Sequence, residues 1–251
     1  MTGASDRTTD REAVGLSANV LLLGLLFCGL GFGLGTGALA GSGAAFSFVM
    51  AGWVLGLCLH AFGHALAARH WGLPGTGALT LDPRRMVDPL ATLVLPVILT
   101  VLSGLGFPAG IARTEAAGAD RARRSATAAA GPAASLVFLL VLAGLYALAR
   151  PEAETLRAAL AVSVLFQATG LILGLAPVPG LDGYDILRPW LSGAWTWADR
   201  MARQSSLVLF GLFLVSGAFS RPVFGASLRL TAAIGIDLSD VIAGYRLIRL
   251  W

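Results

Sequence analysis

The sequence predicts an all-α polytopic membrane protein, and three observations carry that prediction. Hydrophobic residues make up 56% of the 251-residue chain and charged residues only 13%, a balance foreign to soluble domains. No Asp, Glu, Lys or Arg occurs between Ala13 and Ala68, a run at least about twice what one helix needs to cross a bilayer. Further uncharged runs fill 89–112, 125–149, 158–181 and 204–220, which brings the expectation to about six membrane segments. The net charge of +4 comes from arginine alone, because the chain has no lysine. Arg-rich loops suit anionic lipid headgroups, and nothing favours a nucleic-acid partner.

Taken in order, residues 1–12 mix Arg7 and Arg11 with Asp6, Asp10 and Glu12. The apolar run behind them is too long for a secretory signal and is expected to stay as a membrane anchor. The first helix is expected over 14–39, where Gly29, Gly33 and Gly37 share one face and Gly31 and Gly35 another. A glycine turn at 41–43 opens the second helix, 45–71, which Gly72 and Pro74 end. Residues 75–88 hold Leu79-Thr80-Leu81 and the turn former Asp82-Pro83, and are expected to form a short β-hairpin. The segment 89–107 is apolar but short and interrupted by Pro96, short enough to be re-entrant. A loop over 108–124 carries Arg113, Arg121, Arg123 and Arg124, and helices follow over 125–148 and 156–175. The rigid turn Pro177-Val178-Pro179-Gly180 leads into Leu181-Asp182-Gly183. A last span covers 207–219, and the tail 224–251 is amphipathic. No repeat or linker divides the chain, so one domain over 1–251 is expected: a core of about 45–204, with the first helix over 1–44 and extra helices over 205–251.

His60 and His64 stand four residues apart within the longest uncharged run, on one face of a helix, so a single metal ion can touch both. A catalytic zinc site needs a third protein ligand. Asp182 is the candidate: a carboxylate in an apolar context is expensive unless paired or bound to metal. The competing reading makes it a helix N-cap, which aspartate also favours. Asp185, one turn on, reads as a solvated acid at a helix start. His70 lies off the face of His64 and reads as a membrane-border residue. Cys58 points about 200° away from His60 and makes a poor ligand; with Cys28 it reads as a small apolar residue rather than half of a disulfide. The residue after the first histidine, where an H-E-x-x-H protease keeps its general base, is Ala61.

The stretch His60-Ala61-Phe62-Gly63-His64-Ala65-Leu66-Ala67-Ala68-Arg69 resembles the H-E-F-G-H-A-L-A-A-R helix of the site-2 protease family, intramembrane zinc metalloproteases. Pro177-Val178-Pro179-Gly180-Leu181-Asp182-Gly183 is similar to that family's P-x-P-x-L-D-G segment. Leu81-Asp82-Pro83 through Asp88-Pro89, and Ala130-Gly131-Pro132, match its compact bacterial branch, and the likeness covers roughly 52–188. The resemblance implies one zinc ion on His60, His64 and Asp182, and hydrolysis of peptide bonds in single-span membrane proteins such as membrane-tethered regulators. It also implies a multi-pass protein of the bacterial inner or plasma membrane. The site is expected nearer the cytoplasmic side, where the arginines gather if 89–107 is re-entrant.

Three departures stand out. Ala61 replaces the glutamate that takes a proton from the attacking water and passes it to the leaving amine. Gly174 and Ser135 stand where the family often has asparagines, positions tied to substrate binding. Leu79, Thr80 and Leu81 are expected to bind an unwound substrate by edge pairing. The chain is therefore expected to be inactive as it stands. A laboratory substitution that keeps the metal site is the favoured explanation, and a natural pseudoprotease that binds membrane helices without cutting them is the alternative. A metal or proton transporter, the remote rival, predicts polar residues spread along a path rather than gathered at one point.

Overall fold

The computed structural model describes residues 15–73, 78–82, 120–200 and 216–248. Its principal helices are α1 (Ala18–Thr36), α2 (Ser42–His70), α3 (Arg121–Leu148), α4 (Glu154–Gly174), α5 (Asp182–Leu187), α6 (Gly217–Ala233) and α7 (Leu238–Ile248). The first four are long and apolar enough to cross a membrane.

Local chemistry sets their ends. The Ser17 hydroxyl accepts from the Val20 N–H at 3.1 Å to open α1, and Gly37 closes it in the left-handed region at φ 76°. Asp120 accepts from the Arg123 N–H at 2.8 Å, so α3 begins before residue 125, where hydropathy alone placed its start. After α4 the chain turns through Gly180, at φ 93°. A Cβ at Gly183 would run into the Leu175 carbonyl, so only glycine lets α5 start against the end of α4.

Helix α4 is the central post, with every residue from 158 to 169 buried. Around it stand α2, α3, α6 and α7. Helix α1 sits on the rim and leaves Leu21, Leu22, Leu25 and Phe32 exposed, as a lipid-facing helix does. It docks on α2 through Phe27 and Phe48, stacked at 4.5 Å between centroids. Of its two glycine faces, the Gly31/Gly35 face makes the contacts, against Phe48 and Leu156. At the α7 seam a Cβ on Gly244 would strike the Ala158 carbonyl, the close approach that small residues permit.

Two expectations need correcting. Residues Ala78–Thr80 form a 3-10 turn, and Leu81 sits at φ 51°. Their strand reading fails because the carbonyls of Leu79 and Thr80 already accept from the N–H groups of Gly15 and Ser17, at 3.2 and 2.9 Å. The rest of the proposed hairpin lies outside the described residues. Of about six expected membrane segments, four are present among the described residues; 89–107 and nearly all of 207–219 fall outside them.

At the end of the bundle where α3 meets α4, a polar tie holds the C-terminal helix. The Tyr146 hydroxyl donates to Asp240 at 2.6 Å, and Arg157 donates to both, at 2.6 Å to Tyr146 and 3.1 Å to Asp240. The Arg157 guanidinium also lies 4.3 Å from the Tyr146 ring centroid. Asp240→Ala leaves two donors without their acceptor and is expected to lower stability by about 1–2 kcal/mol, read as a lower unfolding temperature in detergent with zinc content unchanged.

Candidate metal centre

Two helices and one turn bring the predicted ligands together. His60 and His64 project from the second half of α2, and Asp182 is the first residue of α5. The two imidazoles face each other, and each faces a different oxygen of the Asp182 carboxylate. His60 Nε2 lies 3.2 Å from His64 Nε2, Asp182 Oδ2 lies 3.3 Å from His60 Nε2, and Asp182 Oδ1 lies 3.1 Å from His64 Nε2. Among the described residues these three make the one group of His, Cys, Asp and Glu side chains that could hold a metal ion.

The dimensions can be tested against zinc. Ligand bonds of 2.0–2.1 Å at tetrahedral angles put donor atoms about 3.3 Å apart; the two imidazole nitrogens stand at 3.2 Å, and each lies at a similar distance from its own nearer Asp182 oxygen, with all three groups within 4.8 Å of one another. The hydrogen bonds behind the ligands agree. His64 Nδ1 sits 2.8 Å from the Thr127 carbonyl, which can only accept, so the proton of a neutral His64 is on Nδ1 and a lone pair on Nε2. His60 Nδ1 meets the Ser135 hydroxyl at 2.9 Å. The Ser135 hydroxyl can donate or accept, so His60 can also turn a lone pair on Nε2 toward the Asp182 carboxylate, the form in which a cation would join all three groups. The donor set therefore fits a divalent ion of zinc's size, with outer partners that fix each ring.

The surroundings are built to the same end. His64 is 1% exposed, whereas His60 and Asp182 are partly open, at 17% and 18% of their side chains. Helix α3 can lie so close because Gly131 has no side chain: a Cβ there would meet the His64 ring. Pro132 lies inside α3 and so offers no N–H to the Ala128 carbonyl, the neighbour of the Thr127 carbonyl that faces His64.

The other predicted positions distribute as follows. Ser135 lies behind the ligand set, its hydroxyl on His60 Nδ1. Gly174 lies beside Asp182, since a Cβ on it would be 3.5 Å from Oδ2. Ala61 is half-buried and, with Phe62, packs on the buried pair Ala65 and Leu79. The buried Thr80 hydroxyl, one residue on, has no hydrogen-bond partner among the described residues. Asp185 and Cys58 are not in the cluster, and both cysteines are free. The His70 ring is exposed and stacks edge-on against Trp71 at 4.6 Å, as a border residue would. Thr127 was not legible in the sequence, because it acts through a backbone carbonyl; the Gly131-Pro132 pair was its only signal.

Helices long and apolar enough to span a membrane, gathered around three candidate metal ligands, are the arrangement expected of a membrane-embedded metalloprotein. The comparisons make the class specific. The chain is 36% identical over 210 residues, 82% of its length and 81% of theirs, to proteins named "Putative zinc metalloprotease Rip2" from Mycolicibacterium smegmatis and from two strains of Mycobacterium tuberculosis. The chain belongs to this zinc metalloprotease family, the site-2 proteases. No family model matches it, and no solved structure does.

Proposed function

We propose that this protein is an intramembrane zinc peptidase of the site-2 type whose cleavage step is disabled at Ala61. The observation that carries the reading is the convergence of His60, His64 and Asp182. Ser135 and Thr127 aim the two imidazoles, and Asp182 supplies the negative charge that a divalent ion in an apolar setting requires. A zinc ion bound there would polarise a peptide carbonyl and lower the pKa of its water to about 7. The methyl group of Ala61 can neither accept a proton from that water nor hand one to a leaving amine. The unpartnered Thr80 hydroxyl and the Leu79 contact beside Ala61 support a substrate-binding role for this turn through side chains, its carbonyls being occupied.

Substrates would be single-span membrane proteins such as membrane-tethered regulators, unwound locally so that a carbonyl reaches the site. The described arginines support a multi-pass place in the cell membrane with the site towards the cytoplasm. Arg69, Arg121, Arg123 and Arg124 lie at the ends of α2 and α3 nearest the metal ligands, and Arg188, which follows α5, and Arg200 belong to the segment beyond it. Arg150 and Arg157 lie at the far α3–α4 junction, and Arg221, Arg229 and Arg246 are carried by α6 and α7; of the two ends of α3, the positive-inside rule assigns the richer to the cytoplasm.

Metal analysis tests the reading. Purified protein is expected to carry one zinc per chain, and His64→Ala and Asp182→Ala to lose it while keeping their helical content. A wild-type chain that binds no zinc, or variants that retain it, would remove the basis of the proposal.

A further inference from the structure

Beyond α5 the chain runs along the surface through two 3-10 turns, Arg188–Trp190 and Gly193–Trp195. Three tryptophans within eight residues stay open: Trp190 at 59%, Trp195 at 42% and Trp197 at 52% exposure. Trp195 and Trp197 stack on one another at 6.1 Å and 22°. Indoles of this kind, apolar with one polar edge, belong at the headgroup level of a bilayer. At the same end of the bundle, Trp71 finishes α2 and lies 5.5 Å under the Arg123 guanidinium. Arg121, Arg124 and Arg200 are exposed there too. His64 lies six residues before His70, and Thr127 six residues after Arg121. At 1.5 Å per residue both helices put the metal ligands about 9 Å beneath this belt.

The belt is wired to the helix that carries Asp182. Arg188 grips Asp199 with two bonds, at 2.6 and 2.5 Å, and the Tyr184 hydroxyl donates to the same carboxylate at 2.9 Å. The Arg188 guanidinium holds the Asp199 carboxyl below its usual range, so the link stays charged at neutral pH. The Trp190 N–H donates to Ser125 at 2.8 Å, and the Ser125 hydroxyl donates to the Ile186 carbonyl at 2.6 Å. Tyr184, Ile186 and Arg188 are thus all held from the tryptophan segment or from the start of α3.

We infer that the segment 188–200, with the arginines that begin α3, is a docking surface for anionic phospholipid headgroups that fixes the Asp182 helix at its depth. Exposed indoles supply the affinity for the headgroup layer, and the surrounding arginines select negative lipid. The consequence for Asp182 rests on the proposed metal role, but the surface itself does not.

The test uses the full chain in vesicles of phosphatidylcholine, with and without about 30% phosphatidylglycerol. Lipids brominated near the glycerol backbone are expected to quench tryptophan fluorescence more strongly than lipids brominated deep in the acyl chain. A substantial part of the shallow quenching should vanish in W195F/W197F, whose conservative changes leave the fold intact, with Trp71 and Trp190 of the same belt supplying the rest. Amide exchange over residues 183–187 is expected to slow about tenfold when phosphatidylglycerol is present, and not to slow in R121Q/R124Q/R200Q. Tryptophans shielded from every quencher would mean that protein covers them and would overturn the inference. So would exchange in α5 that ignores lipid charge. Zinc content measured on the same samples separates the two readings, because anchoring without zinc in either lipid defeats only the peptidase proposal.

Discussion

Ala61→Glu is expected to turn on zinc-dependent cleavage of a single-span reporter, raising the rate by at least about 10²–10⁴ over the present chain. The geometry favours the gain. On α2, position 61 lies about 100° from His60 and about 60° from His64 around the helix, so a carboxylate there stands on the flank of the ligand face. That flank is where Leu79 and the unpartnered Thr80 hydroxyl sit, the wall along which a substrate backbone would pass. Glutamate can serve twice, as base toward water and as acid toward the leaving amine, so the figure is a lower bound. Ala61→Gln matches glutamate in shape without its proton chemistry and is expected to stay inactive, which separates catalysis from simple filling of space. Reporter cleavage followed on a gel, with zinc content measured in parallel, checks it. An Ala61→Glu protein that holds zinc and still cuts nothing would make this chain a pseudoprotease, one that grips membrane helices without hydrolysing them.

How much of this was legible in the sequence depends on where the information resides. His60, His64 and Asp182 could be read because metal ligation needs particular side chains at a helical spacing and after a rigid turn. Thr127 could not, since any residue has a carbonyl; only the glycine and proline nearby record that α3 was shaped to meet His64. The hydrogen bond between Ser135 and the candidate ligand His60 joins residues 75 positions apart, a pairing that no local pattern encodes. Leu79-Thr80-Leu81 alternates as a strand does, but the distant Gly15 and Ser17 take its carbonyls and the chain closes into a turn. The start of α3 was misplaced for a simpler reason: hydropathy registers where charge ends, whereas a helix begins where Asp120 caps it. The tie among Tyr146, Arg157 and Asp240 joins residues up to 94 positions apart and left no sequence trace.

Gly131→Ala should empty the metal site without unfolding the protein. The added methyl would fall on Nε2, Cδ2 and Cε1 of His64, closer than any real contact allows, so something must move. The backbone of α3 is poorly placed to yield, because the adjoining turn is pressed against α2: a Cβ on Gly63 would meet the Ala130 carbonyl and the Ala134 side chain. The imidazole is the part that can give, since it is the free end of a side chain. By swinging away it loses the Thr127 carbonyl and takes Nε2 off the point shared with His60 and Asp182. Zinc affinity is expected to fall about 100-fold or more, the upper range for disturbing the groups that orient a ligand, measured by chelator competition. The unfolding temperature should shift only modestly. Gly63→Ala makes the opposite case, since its clash is with backbone on the facing helix; it should destabilise the α2–α3 seam and reduce folded yield together with zinc. A Gly131→Ala protein with unchanged zinc affinity would show that His64 does not hold the ion in the orientation described, and the three-donor centre would have to be abandoned.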